Sequence, residues 1–258
     1  MVDNGNYLTS IVNKDTIKIN QDGIYLLMVR LTGNVTANYI CITMTTGCSN
    51  VNNGYAELLM NGNSVGQCYC NNSSGLSDSI YFYEIISIKS SSLLQIKNVN
   101  LTHHAIGQII SPLSTQFTLV LLNNKLSTNS YARFSSLSPW CSGGNGYWYW
   151  QLEEGDSNLF QVTGQNYVTV NEEGNYILVA RVTGNATSNG GYCELHINGS
   201  MLSRYYKNGS DGHHNNIHLN RTIYLTAKSF IQIKNNTLTH SYNLGQKLAI
   251  HLSLYKLP

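Results

Sequence analysis

Gly23-Ile24-Tyr25-Leu26-Leu27-Met28-Val29-Arg30-Leu31-Thr32-Gly33-Asn34-Val35-Thr36 recurs 151 residues later as Gly174-Asn175-Tyr176-Ile177-Leu178-Val179-Ala180-Arg181-Val182-Thr183-Gly184-Asn185-Ala186-Thr187. The correspondence resumes at an offset of 137, where Tyr55-Ala56-Glu57-Leu58-Leu59-Met60-Asn61-Gly62 matches Tyr192-Cys193-Glu194-Leu195-His196-Ile197-Asn198-Gly199. The first copy therefore carries 14 extra residues between these blocks, a segment that contains Cys41 and Cys48. Gln95-Ile96-Lys97-Asn98 returns as Gln232-Ile233-Lys234-Asn235, and Phe117 to Leu126 returns loosely as Leu248 to Leu257. Solenoid repeats run about 20 to 50 residues, so a period this long is a duplicated domain. We read two homologous domains, 1–126 and 127–258, each near the commonest domain size.

Within each copy, short alternating segments rich in Tyr, Val, Ile, Leu and Thr are separated by Asn, Gly and Ser clusters, the pattern of all-β chains. Asn61-Gly62 and Asn198-Gly199 follow apolar alternation, where Asn-Gly supplies the positive φ values of a type I′ hairpin turn. No stretch repeats at 3.6 residues, so almost no helix is expected. The fold class is all-β, two tandem antiparallel β-sandwiches.

Two strands are apolar on both faces. Tyr25, Leu27, Val29 and Leu31 form one face of the Gly23 strand, yet Ile24, Leu26 and Met28 are apolar on the other. Phe117, Leu119 and Leu121 alternate with Thr118, Val120 and Leu122, and in the second copy Ile177 and Val179 lie outward beside Asn175 and Arg181. A lone sandwich would leave these side chains in water. Two coverings are open: an oligomer interface through Ile24, Leu26, Met28, Val120, Ile177 and Val179, or the chain's own loops or other domain.

Composition narrows the function. There are 15 Lys plus Arg against 13 Asp plus Glu, and charged residues make up 11% against roughly 25% in ordinary soluble domains. Phosphate neutralisation across a nucleic-acid interface is not supported by so few cations. The longest apolar run, Ile24 to Val29, is far below the about 20 residues of a membrane-spanning helix. No membrane insertion is expected. Met1-Val2-Asp3-Asn4-Gly5 has neither the basic nor the apolar region of a signal peptide.

Gly-x-Tyr opening an apolar strand (Gly23-Ile24-Tyr25, Gly174-Asn175-Tyr176), an apolar strand ending in Asn-Gly, and a Phe-Thr-Leu-Val-Leu last strand resemble the C1q/tumour-necrosis-factor-like jelly roll. Tyr147-Trp148-Tyr149-Trp150-Gln151 resembles the family's first strand, and Phe160 to Val170 the segments that precede the Gly-x-Tyr strand. The first copy lacks an equivalent of that opening strand. The resemblance implies jelly rolls of about ten strands, trimers packed through the sheet that holds the Gly-x-Tyr and last strands, and recognition without catalysis. Two copies per chain depart from the usual single domain, and no collagen-like stalk is present.

Candidate chemistry is sparse. Six cysteines (Cys41, Cys48, Cys68, Cys70, Cys141 and Cys193) permit 15 pairings. Cys193 shares a face with Leu195 and Ile197 and reads as a buried thiol, while a local Cys41–Cys48 disulfide fits an oxidising compartment. Nine Asn-x-Ser/Thr triplets, at Asn34, Asn71, Asn72, Asn100, Asn185, Asn198, Asn208, Asn220 and Asn235, are a slight excess over chance in a chain with 33 Asn. Gly62-Asn63-Ser64-Val65-Gly66 matches the nucleophile-elbow string but follows a hairpin signal in an all-β chain, not the strand-turn-helix that the elbow needs.

Tyr205, Tyr206, Asn208, Asp211, His213 and His214 gather aromatic faces with amide and carboxylate groups in one loop region, a mixture suited to sugars. Trp140, Trp148 and Trp150 with Tyr147 and Tyr149 read as core or interdomain packing. The expected protein is a secreted, non-catalytic recognition molecule, a homotrimer that binds a glycan or protein ligand through exposed loops. Its alternatives are a structural jelly roll of a virion or cell surface and a receptor ligand of the tumour-necrosis-factor type. No cofactor pattern is present, and the sequence is silent on calcium.

Overall fold

The computed structural model describes residues 8–13, 16–33, 55–69, 78–99, 115–124, 126, 130–136, 146–186, 191–206, 214–236, 238–239 and 250–258. The described residues contain no α-helix. The first sandwich comprises β1 (Thr9–Asn13), β2 (Thr16–Ile19), β3 (Gly23–Gly33), β4 (Tyr55–Met60), β5 (Asn63–Tyr69), β6 (Asp78–Ile88), β7 (Leu93–Val99) and β8 (Thr115–Asn123). The second comprises β9 (Tyr131–Ser136), β10 (Trp150–Gly155), β11 (Phe160–Thr163), β12 (Tyr167–Val170), β13 (Gly174–Ala186), β14 (Tyr192–Ile197), β15 (Ser200–Tyr206), β16 (His214–Leu225), β17 (Phe230–Asn236), β18 (Leu238–Thr239) and β19 (His251–Lys256).

Each sandwich has an outer sheet, β1-β2-β7-β4-β5 or β11-β12-β17-β14-β15, and an inner sheet, β6-β3-β8 or β10-β9-β19-β13-β16. The chain changes sheet after β2, β3, β5, β6 and β7, and the second sandwich repeats those crossings, which is jelly-roll connectivity. The last strands align through Leu119 and Leu254, both paired to the repeated Leu27 and Leu178, an offset of 135 (254 minus 119) instead of the loose 131 (248 minus 117) read from sequence.

The repeated motifs act locally. Asn61 and Gly62 have φ of 54° and 81°, Asn198 and Gly199 have 52° and 78°, and both pairs turn a hairpin. Each turn is then tied across the sheet, because Asn61 Oδ1 accepts from Leu93 N at 2.8 Å and Asn198 Oδ1 from Phe230 N at 2.9 Å. Gly23 is required by close approach, since a Cβ there would lie 2.4 Å from the Asn123 carbonyl oxygen. The Tyr two residues later fills the core and donates its hydroxyl to the backbone carbonyl four residues upstream, Tyr25 to Gln21 and Tyr176 to Glu172, each at 2.7 Å. Burial, with Glu172 adding, pushes the Tyr176 hydroxyl up to about 12.

In the second sandwich the opening inner strand is Tyr131–Ser136, ahead of the Tyr147–Gln151 stretch that the pattern singles out. Ala132 and Phe134 face the core while Arg133 and Ser135 alternate with them, so the segment carries little apolar signal of its own. Trp148 and Trp150 are fully buried in the same core, and Cys193 is buried there too. Among the described residues the inner sheet of the first sandwich has three strands and no counterpart of β9 or β10. Cys41, Cys48, Cys70, Cys141 and Trp140 lie outside the described residues. Asn235 is 0% exposed, which leaves no outward face for a glycan.

The doubly apolar strands meet within the chain. Ile24 and Ile85 of the first sandwich pack with Tyr131, Val179 and Tyr255 of the second, and Leu26, Tyr83, Leu122 and Ile177 flank them. Of the six residues read as an oligomer interface, Ile24 and Val179 are buried in this contact, Leu26 and Ile177 pack at its margin, Met28 is half-buried and Val120 is exposed. Polar groups fix the register. Tyr131 Oη donates to the Ile85 carbonyl at 2.9 Å, and Tyr255 Oη to that of Leu122 at 3.0 Å.

At the margin Arg181, with 0% side-chain exposure, leaves the inner sheet of the second sandwich and enters the β5–β6 edge of the first. Its Nη1 lies 2.8 Å from Glu84 Oε1 and its guanidinium sits over the Phe82 ring at 5.5 Å. Gly66 makes the room, because a Cβ there would come 3.3 Å from Arg181 Nη2. Arg133 Nε stands 4.0 Å from the same carboxylate, and its Nη2 donates to the Val65 carbonyl. His218 packs edge-on against Tyr83 at 5.6 Å, and desolvation, helped by Arg181, drops its imidazole to about 3, so it is neutral at physiological pH.

Glu84→Ala leaves two buried guanidiniums facing each other without their carboxylate. Removing one partner of a buried ion pair costs about 3–5 kcal/mol. Urea unfolding followed both by far-UV circular dichroism, which sees both sandwiches, and by Trp fluorescence, whose three reporters all lie at or beyond Trp140, should show the circular-dichroism transition running ahead of the fluorescence transition in the variant. A single transition shifted by under about 1 kcal/mol would show that the pair does not hold the sandwiches together.

Candidate functional site

Alternation on the outer sheet of the second sandwich sends Cys193 and Leu195 into the core, and Tyr192, Glu194 and His196 to the opposite face. Register then sets their neighbours. Tyr192 pairs with Tyr206 and Asn236, and Glu194 with Arg204 and Lys234.

Glu194 is the centre of this surface. Its Oε1 accepts from Arg204 Nη2 at 2.8 Å and Nε at 3.2 Å, and its Oε2 lies 3.0 Å from His196 Nε2 and 3.8 Å from Lys234 Nζ. Burial alone would raise its pKa, but hydrogen bonds from His196 and Arg204, with the charges of Lys234 and Arg204, hold the carboxyl below the usual range. Arg204 Cζ lies over the Tyr192 ring at 4.4 Å, and Tyr192 meets Tyr206 at 5.4 Å between ring centres. Asn236 Nδ2 donates to Tyr192 Oη, and Tyr147 closes the far side with its ring edge-on to His196 at 5.7 Å.

The result is a rigid ledge with an open lip. Tyr206 is 58% exposed, and Met201 and Leu202 are exposed on the same strand at 52% and 42%. An exposed aromatic, a pre-stacked guanidinium and adjoining apolar side chains can take up a flat or apolar ligand face and offer donors at its rim. Acid–base catalysis is not what this geometry favours, because the carboxylate is held ionised and is already engaged by three partners. No cluster of three or more His, Cys, Asp or Glu with metal-site geometry occurs among the described residues.

Of the loop residues read as a ligand site, Tyr206 is on this ledge. Tyr205 points the other way, packing against the core with its hydroxyl accepting from Arg221 Nε at 3.3 Å. His214 begins β16, paired with Asn185, and Asn208, Asp211 and His213 lie outside the described residues. Glu194, Arg204, His196 and Tyr192 were missed by sequence reasoning. The available signal was the pair of charged residues in outward register on neighbouring strands, repeated in part by Glu57 and Lys97, which lie 3.3 Å apart in the first sandwich. There Gln67 replaces Arg204 and Leu59 replaces His196. The Gly62–Gly66 string is the β4–β5 hairpin and its following strand, not a strand-to-helix elbow.

No family model and no curated protein matches the sequence. Solved structures that are similar include murine APRIL, with 18% identity, a TM-score of 0.40 and coverage of 50% of this chain and 98% of that one. Rabbit GITRL gives 17%, 0.35, 50% and 94%, and Eiger TNF from S. frugiperda gives 12%, 0.39, 50% and 92%. Each of these likenesses spans half of this chain, and the jelly-roll fold rests on the chain's own sheet order and crossings. Among the described residues no helix is long and apolar enough to cross a membrane.

The depressed Glu194 pKa carries a sign. A carboxyl whose folded pKa lies below its unfolded value stabilises the fold above about 4.5, and that contribution is lost as pH falls through the folded value. Thermal midpoints measured from pH 7 down to pH 3 should therefore fall more steeply for the wild type than for Glu194→Gln. Parallel curves would show that the carboxylate is not held by its partners.

Proposed function

We propose that this protein is a non-catalytic recognition molecule that acts outside the cell and grips a protein or glycan through the Tyr206–Arg204–Tyr192 ledge of the second sandwich. The observation that carries the reading is the lip itself: Tyr206, Met201 and Leu202 stand exposed around a guanidinium already fixed by Glu194. Tyr, Arg and Met are the side chains enriched where interfaces concentrate their binding energy, and a pre-paired arginine loses little freedom on binding. Sparse charge on the rest of the chain fits recognition by shape and hydrogen bonding better than by long-range steering.

Labelled protein is screened on a glycan array and on a panel of extracellular protein domains, with calcium and with chelator. Tyr206→Ala should weaken any specific binding at least tenfold, about 1.4 kcal/mol, with the thermal midpoint nearly unchanged, and Arg204→Ala should weaken it at least as much while lowering the midpoint, because Glu194 loses its bidentate partner. A ligand whose affinity is indifferent to both substitutions binds elsewhere and removes the ledge from the account.

A further inference from the structure

The duplication lets each core position of the first sandwich be read against its counterpart in the second. Register matches Ile17 with Val168, which pair with Leu94 and Ile231, and matches Ile96 with Ile233, opposite Leu58 and Leu195. On the last strands Phe117 matches Leu252, and Leu119 matches Leu254. All four residues of the second sandwich are 0% exposed, whereas all four of the first are only half-buried. Ile17 and Ile96 belong to the outer sheet, Phe117 and Leu119 to the inner, so the core is open between the two sheets.

What seals the second sandwich is a run of chain with no counterpart among the described residues of the first. β9 pairs with β19 and sets Phe134 across from Leu252 and Ala132 across from Leu254. Trp148 N then donates to the Ile233 carbonyl at 3.0 Å, and Trp148 and Trp150 fill the core. In the first sandwich β8 ends the inner sheet, and among the described residues no strand pairs with its outer side.

β8 is also undefended as an edge. Thr115–Asn123 is nine residues long and holds no charged residue and no proline. The edge strands β10 and β15, by comparison, hold Glu153, Glu154 and Arg204. Sheet edges that face water are ordinarily blunted by charge, proline or bulges, and an edge without them is a template for another strand. The one irregularity of β8 lies at its far end, opposite Ile24 and Tyr25. That end is continuous with the contact between the sandwiches: Leu122 packs at its margin, and the Leu122 carbonyl accepts from Tyr255 Oη at 3.0 Å. The template is therefore held in place before any partner arrives.

We propose that the β8 edge of the first sandwich is a docking site for an extended segment of a different polypeptide, which pairs antiparallel with β8 and lays a small and a large apolar side chain, two residues apart, on Leu119 and Phe117. Main-chain hydrogen bonds supply affinity in this mode, and the alternate side chains supply specificity. The pattern required is that of Ala132 and Phe134. β9, the described strand that carries it, is already paired on both sides, with β19 and β10, so a second copy has no such strand to lend. The site belongs to the first sandwich and stands without the ledge.

Hydrogen exchange followed by mass spectrometry on the full chain tests the site. In the protein alone, amides of 115–121 should exchange about tenfold or more faster than those of 251–256, whose strand is paired on both sides. A second copy of residues 131–155, carrying Cys141→Ser and joined ahead of Met1 by a flexible Gly-Ser linker, meets the edge at high effective concentration. It should slow exchange of 115–121 by about tenfold or more and leave 251–256 unchanged. The same fusion with Phe134→Lys in the added copy should give no such protection. Equal protection of the two strands in the unfused protein would show the edge already covered within the chain, and protection that grows with protein concentration would show a second copy there. Either result overturns the proposal, and so does a fused strand that leaves 115–121 unprotected.

Discussion

One carboxylate, Glu84, organises the relation between the two halves of this chain. It is buried, it faces the fully buried Arg181 at 2.8 Å, and Arg133 approaches it from a second strand. An apolar contact alone, Ile24 and Ile85 against Val179 and Tyr255, would tolerate sliding, because hydrophobic burial has no direction. A buried ion pair has direction. It is no bargain in stability against a well-packed apolar substitute, yet any displaced arrangement leaves charges desolvated and unmatched, and so one orientation is selected. The Phe82 ring and the space above Gly66 complete the socket.

Duplication supplied two copies of most positions from the Gly-x-Tyr strand onward, and their divergence separates structure from use. Positions needed by the fold itself are the same in both: the Asn-Gly turns with positive φ, the glycine ahead of the strand, and the Tyr that donates four residues back. Outward positions differ. In the first sandwich Glu57 keeps Lys97 and accepts from Gln67 at 2.9 Å, a modest cross-strand set. In the second, Arg204 and His196 turn the same carboxylate position into a ledge that fixes an arginine against Tyr192. Identical scaffolds with different outward residues are what a division of labour looks like at the level of side chains.

Much of the fold is legible in the sequence because its determinants are local. Alternation sets which face of a strand is buried, Asn-Gly sets the turn, and a duplicated pattern doubles the signal for each. Sequence shows that Ile24 and Val179 need cover, but the identity of the cover is a property of three-dimensional docking, which no periodicity encodes. Arg181 reads as a polar interruption of an apolar face and becomes a finger only when the β5–β6 edge is beside it. The ledge is invisible for a related reason: Glu194, Arg204 and Lys234 are spread over three strands and converge only through register. Adjacency in sequence misleads where strands alternate, and Tyr205 and Tyr206 consequently work on opposite sides of the same sheet.

Joining the two sandwiches in one chain changes what their contact must do. Separate subunits must recover the translational and rotational freedom lost on association, whereas tethered ones meet at an effective concentration set by the linker. The contact can then contain groups that a free interface would find costly, such as a neutral His218 beside a buried guanidinium and a Tyr131 hydroxyl whose pKa burial pushes well up. Such groups add little affinity and much discrimination, since each is satisfied only by its own partner.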